Sequence, residues 1–263
     1  LLPHLRWLID PTYKHTYYVD GSPIAFDAKV FAADSTHPSG WGTVLVVPFR
    51  LGGGSITVDV ATSGSSNKVT SESSYVLMDI TDPESAPTVL GEVNLPGTWT
   101  TSAPAAVVVR DAVTETPSRF LLAFGSGPTD ARKVASTRSM VVNVYDVADF
   151  VNAATNKKAP VPTTISFGDG AKNSFAGDLI ASDFDLNGKA EAVYFGSVAG
   201  DGSSAEFGGQ SWKIAVNSDD SVKNWKGSLF RTLGSATGMP VTVRPTLGRN
   251  GRGAPMVFFG TGR

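Results

Sequence analysis

The run Asp183-Phe184-Asp185-Leu186-Asn187-Gly188-Lys189-Ala190-Glu191 concentrates oxygen donors at a spacing that suits a hard cation. Asp183, Asp185 and Asn187 offer side-chain oxygens at positions 1, 3 and 5 of a calcium loop. Lys189 would add its backbone carbonyl at position 7, its amine turned to solvent, and Glu191 a carboxylate at position 9. Gly188, at position 6, permits the sharp turn that a β-carbon would resist. An EF-hand would carry a bidentate Glu at position 12, but Tyr194 stands there, so the loop is expected to join two strands rather than two helices. The competing reading is an ordinary hairpin turn, which Asn187-Gly188 alone would favour. A hairpin has no need of acids at positions 1, 3 and 9, and without a cation they would repel one another. Calcium is therefore the expected cofactor; magnesium prefers fewer protein ligands and keeps its waters.

Other chemistry is sparse. His4, His15 and His37 share no metal-ligand spacing and read as solvated or core-edge residues. The chain has no cysteine, no G-x-S-x-G elbow and no H-E-x-x-H, so no catalytic or organic-cofactor residue is assigned. Gly52-Gly53-Gly54 lacks the Lys-Ser/Thr of a phosphate loop and reads as a place where strands pack closely at a bend. Asp79 and Asp82 read as the end of a strand and the start of a turn. The five tryptophans read mostly as packing groups, with exposed ones as contacts for a sugar or a partner.

A net charge of −2 and the lack of a polybasic run argue against nucleic acid and anionic membranes as partners. No apolar stretch approaches the roughly 18 residues of a membrane span. The chain begins at Leu1 without a leader pattern and reads as an interior fragment or processed product, with any targeting signal upstream.

The elements that must position the loop are strands. Only 17% of residues are charged, while 28 Gly and 16 Pro punctuate the chain, which favours many short strands. A weak repeat recurs: a small-residue or Pro start, an apolar strand, a turn, and a second apolar strand often ending in Phe-Gly. Its copies are 21–28 with 43–47, 101–109 with 120–127, 176–183 with 191–196, and 238–243 with 255–262. Third strands at 75–80, 140–145 and 211–216, and fourth strands at 88–93, 163–167 and 227–231, complete three copies. Four strands per unit, repeated radially, describe an all-β propeller of four-stranded antiparallel blades; a β-sandwich with long loops is the alternative. The unit boundaries fall near 17–97, 98–172, 173–234 and 235–263, all within one domain, 1–263, or a fragment of one. The last unit is partial, so the propeller is expected to be incomplete, closed by an upstream domain or a partner chain. Polar insertions at 55–74, 133–139 and 199–209 are expected on the rim or faces. A short helix is expected near 147–154, capped by Asp146 or Asp149.

Several segments resemble the C-terminal propeller of PilY-type proteins, the tip-associated adhesins of type IV pili. Tyr18-Val19-Asp20-Gly21-Ser22-Pro23 is similar to that family's Y-V-D-G-S-P start, and Thr43 to Val46 with Leu51 to Gly54 to its T-V-L-V…G-x-G-G segment. Met78 to Pro83 resembles its A-L-D-V-T-D-P strand end, Asp183 to Glu191 falls at its calcium loop, and Phe258 to Arg263 resembles its late F-G-T-G-R. One departure is Glu191, where the family usually has Asp. The resemblance implies a modified, quinoprotein-dehydrogenase-like propeller. It implies calcium ligation by Asp183, Asp185, Asn187, Lys189 and Glu191. It also implies a non-catalytic role in pilus assembly, retraction control and adhesion at the pilus tip, on the cell surface or outside it. Minor pilins or other pilus-tip proteins, and host or abiotic surfaces, would then be the partners. A propeller enzyme, either a quinoprotein-like dehydrogenase or a hydrolase, and a glycan-binding propeller are the alternatives.

Overall fold

The computed structural model describes residues 8–262 apart from 54, 60, 62, 112, 115, 157, 205, 206, 217–220 and 234–237. His4, Gly54 and Arg263 therefore lie outside the described residues. Three four-stranded antiparallel sheets follow one another along the chain. In the first, β1 (Ile24–Lys29), β2 (Trp41–Pro48), β5 (Ser74–Asp79) and β6 (Thr88–Asn94) lie side by side in chain order. The second runs β7 (Ala105–Arg110), β8 (Pro117–Gly125), β9 (Val141–Asp146) and β10 (Thr163–Ser166). The third runs β11 (Ser174–Ser182), β12 (Ala192–Ala199), β13 (Gln210–Ala215) and β14 (Lys226–Thr232). Each sheet is a meander that starts on one edge and ends on the other, the blade topology of an all-β propeller.

The middle sheet shows how the blades stack. Successive side chains on a strand point to opposite faces. Along β8, Leu121 and Ala123 enter the core shared with the third sheet, where Val193, Phe195 and Trp212 lie. Phe120, Leu122 and Phe124 enter the core shared with the first sheet, against Val44, Tyr75 and Leu77. A strand packed on both faces has no polar side to show, which is why β8 reads as a continuous apolar run. Each of these fully buried large side chains stabilises the stack by about 1.5–3 kcal/mol.

The recurring Phe-Gly has a packing cause. A β-carbon on Gly125 would lie 2.4 Å from that of Ala176 at the start of the next sheet. One on Gly196 would lie 2.2 Å from the β-carbon of Val241. Following segments pass at backbone distance over the end of β8 and the middle of β12, so only glycine fits there. Hydrogen bonds tie the same edge together: Ala176 N–H donates to Ser126 O at 2.9 Å, and Val241 N–H to Ser197 O at 3.1 Å.

Three features differ from the sequence expectation. Segment 238–243 is not a paired strand; it makes single bridges, Gly209 to Gly238 and Val241 to Gly262. Pro240 has no N–H to give a ladder, and Thr242 O is taken up by Asp178 N–H at 2.9 Å. The last hairpin forms further on, from β15 (Thr246–Arg249) and β16 (Pro255–Phe258). The 55–74 insertion is not all loop, because β3 (Ile56–Asp59) and β4 (Lys68–Ser71) pair in it as a small hairpin. The expected helix is present as α1 (Val147–Asn156), and Asp146 is its cap, its Oδ1 accepting from Ala148 N–H at 3.0 Å.

Candidate metal centre

The 183–191 loop is the connection between β11 and β12. These two strands pair from Ser174 with Ala199 to Ser182 with Ala192, so the ends of the loop are held together by a ladder. Glu191 N–H closes it with a bond to Ser182 O at 2.9 Å. Within that clasp the backbone curls tightly. Leu186 has φ 58° and Gly188 φ 78°, both left-handed. Asp183 holds the curl from inside: its Oδ1 accepts from Asn187 N–H at 3.0 Å and its Oδ2 from Gly188 N–H at 2.7 Å. Gly188 also lies beneath Arg110 at the end of β7, whose guanidinium nitrogen would sit 2.4 Å from a β-carbon placed there. Position 6 therefore favours glycine through its left-handed turn, while the Arg110 guanidinium above it is a flexible side-chain end.

One oxygen each from Asp183, Asp185 and Glu191 gathers within 4.8 Å of the others, a group able to hold a metal ion. Glu191 is steadied from the rear of the loop. Its Oε1 accepts from Phe184 N–H at 2.9 Å and Asp185 N–H at 3.2 Å, and Ser182 Oγ donates to its Oε2 at 3.3 Å. Asn187 touches the cluster through its side chain, its Nδ2 donating to Asp185 Oδ2 at 2.8 Å, while its Oδ1 accepts from Lys189 N–H at 2.8 Å. Asp183, Asp185 and Glu191 thus converge, Asn187 borders them, and Lys189 is placed by its backbone next to Asn187. Every donor in the set is oxygen, which fits a hard divalent cation and not a soft one.

Two contributors carry no local signal. Ser182 belongs to the strand, and Arg110 comes from the neighbouring sheet. Ala190 N–H also donates to Val108 O of β7 at 3.0 Å, so the loop is braced by an adjacent blade. No spacing rule joins the loop to Arg110 and Val108, which only sheet-to-sheet packing brings to it.

The histidines do not join this centre. His15 meets Tyr17 edge-on at 4.8 Å. His37 lies between two carboxylates, with Nδ1 3.1 Å from Asp34 Oδ1 and Nε2 2.9 Å from Asp79 Oδ2, and stacks on Phe31. Burial pushes the Asp79 carboxyl up, but hydrogen bonds from Thr81 and His37 outweigh it and hold it below the ordinary carboxylate value. Its role is to fasten the 30–40 connection to the end of β5.

Among solved structures, the crystal structure of the Pseudomonas aeruginosa PilY1 C-terminal domain superposes over 94% of this chain with a TM-score of 0.57 and 19% identity. This chain shares the PilY1 C-terminal fold. It spans less than half, 45%, of the PilY1 chain in that structure. No protein-family model matches the sequence, and no curated protein matches it. At 19% identity the PilY1 likeness speaks for the fold.

Proposed function

We propose that this chain is a calcium-binding, non-catalytic propeller module of a type IV pilus tip-associated protein. In this reading it acts in pilus assembly, retraction control and surface adhesion, outside the cell, alongside minor pilins or other tip proteins. The observation that carries the proposal is the convergence of Asp183, Asp185 and Glu191 on one braced interstrand loop. The PilY1-like fold and the series of family-like motifs from Tyr18 to Arg263 support the same reading. Calcium would take those three carboxylates, the Asn187 side-chain oxygen after a rotation of its amide, and the Lys189 carbonyl. Neutralising clustered acids stiffens a strand connection, which suits control of a surface better than a reaction.

The experiment is fractionation of a bacterium that encodes the protein, with pili sheared from the cells. The protein should appear in the sheared-pilus fraction, and Asp185→Ala should change the number of surface pili. Confinement to the cytosolic fraction would sink the pilus assignment. Unchanged piliation with Asp185→Ala would sink the role given to the loop.

A further inference from the structure

A cavity of about 510 Å³ opens where segments of all three sheets meet segment 238–243, away from the metal loop. Its size is that of a small-molecule site. Among its lining residues are Arg50, Thr101, Val134, Phe175, Asp178 and Val243.

Backbone irregularity concentrates on this wall. Of the five non-glycine residues with positive φ among those described, two line the cavity: Arg50 at 57° and Val134 at 52°. A left-handed β-branched residue is a true outlier. Both are held from outside the cavity. Arg50 N–H donates to the buried Thr100 hydroxyl at 3.0 Å, and its carbonyl accepts from buried Ser73 at 3.1 Å. Val134 is flanked by the Asp130–Ala135 bridge and by Ser136 N–H, which donates to Gly200 O at 3.0 Å. A third irregularity faces the same space: the β11–β12 register shifts between Ala176 and Leu179, which frees Gly177 and Asp178 from the ladder. Bulges and strained residues of this kind gather where side chains are aimed at a ligand.

The polar groups here are under-used. Thr101 Oγ1 is buried and has no hydrogen-bond partner among the described residues. The Arg50 side chain, 54% exposed, makes one loose ion pair, 3.8 Å to Asp20. Asp178 Oδ1 accepts from Ala103 N–H at 2.8 Å. Burial still pushes the Asp178 carboxyl up, against that bond and the charges of Arg244 and Arg50. Among the described residues Asp178 feels the charges of Arg50 and Arg244 and a backbone bond from Arg244 but forms no salt bridge, and Arg50 has only the 3.8 Å pair with Asp20; Phe175, Val134 and Val243 line the same space.

We propose that this cavity binds a small zwitterion, the chemistry of an amino acid or short peptide, its carboxylate on Arg50 and its ammonium on Asp178. The apolar body of the ligand packs on Phe175 and Val134, and Thr101 completes its hydrogen bonds. Isothermal titration of the chain with leucine, dileucine, N-acetyl-leucine and leucinamide tests this. Leucine or dileucine should bind, the better of the two identifying a free amino acid or a peptide end as the source. Capping either charge should weaken binding about tenfold or more. Arg50→Gln should lose the preference over leucinamide, and Asp178→Asn the preference over N-acetyl-leucine. Asn keeps the acceptor for Ala103 N–H; if that variant still fails to fold, the exposed Arg50→Gln decides alone. Capped and uncapped probes of equal affinity, or no heat from any probe up to about 10 mM, would overturn the proposal.

Discussion

Replacing Asp185 by Asn should reverse its effect on stability according to whether calcium is present. The carboxylate oxygens of Asp183, Asp185 and Glu191 lie within 4.8 Å of one another. At that separation a like-charge pair costs about 0.9 kcal/mol in water, and physiological salt cuts this roughly in half. Asp185 takes part in two of the pairs, so removing its charge relieves about 1 kcal/mol. Against that stands the exposed bond from Asn187 Nδ2 at 2.8 Å, worth about 0.5 kcal/mol. In chelator the variant should therefore melt at the wild-type temperature or about 1–2 °C above it. With calcium at a hundredfold its dissociation constant, wild type gains about 2.7 kcal/mol, or roughly 5–10 °C. The variant, short of one charged ligand, should gain much less and fall below wild type. Differential scanning calorimetry in chelator and in calcium reads both numbers. A variant that melts below wild type by the same margin in both would refute the reasoning, because Asp185 would then be only a turn residue.

Two further outcomes follow from the packing and the charges. Asp79 contributes stability that is present above its ordinary value of 3.8 and is lost as pH falls through its lower folded value. Asp79→Asn should therefore unfold at lower urea than wild type at pH 6, and the two should converge as pH falls through the lowered folded value of Asp79; curves that stay parallel would contradict this. Gly196→Ala would place a carbon 2.2 Å from Val241 and should cost about 1–3 kcal/mol in urea unfolding, while an unchanged midpoint would mean that segment 238–243 does not seat on β12.

The parts of this structure that were legible in the sequence are those set by local periodicity. Phe124-Gly125 and Phe195-Gly196 mark second strands because a doubly packed strand must be apolar and must carry glycine where another segment passes against its backbone. The 183–191 loop is legible because the acids that cluster in it lie within nine residues of chain. Segment 238–243 misled, since its apolar pattern serves docking on the third sheet while Pro240 denies it a ladder. The partners of His37 lie at Asp34 and Asp79, and the second of these is fixed only by sheet pairing. The Arg50–Asp178 cavity was invisible for the same reason: its walls come from different sheets, and its strained residues obey no local preference.

The claim on which the account rests is that the 183–191 loop holds calcium, and titration calorimetry of the chain with calcium tests it most directly. The account expects one site, weaker for magnesium, with its heat abolished by Asp183→Ala and retained in Arg50→Gln. No heat with calcium, or an undiminished heat with Asp183→Ala, would contradict it.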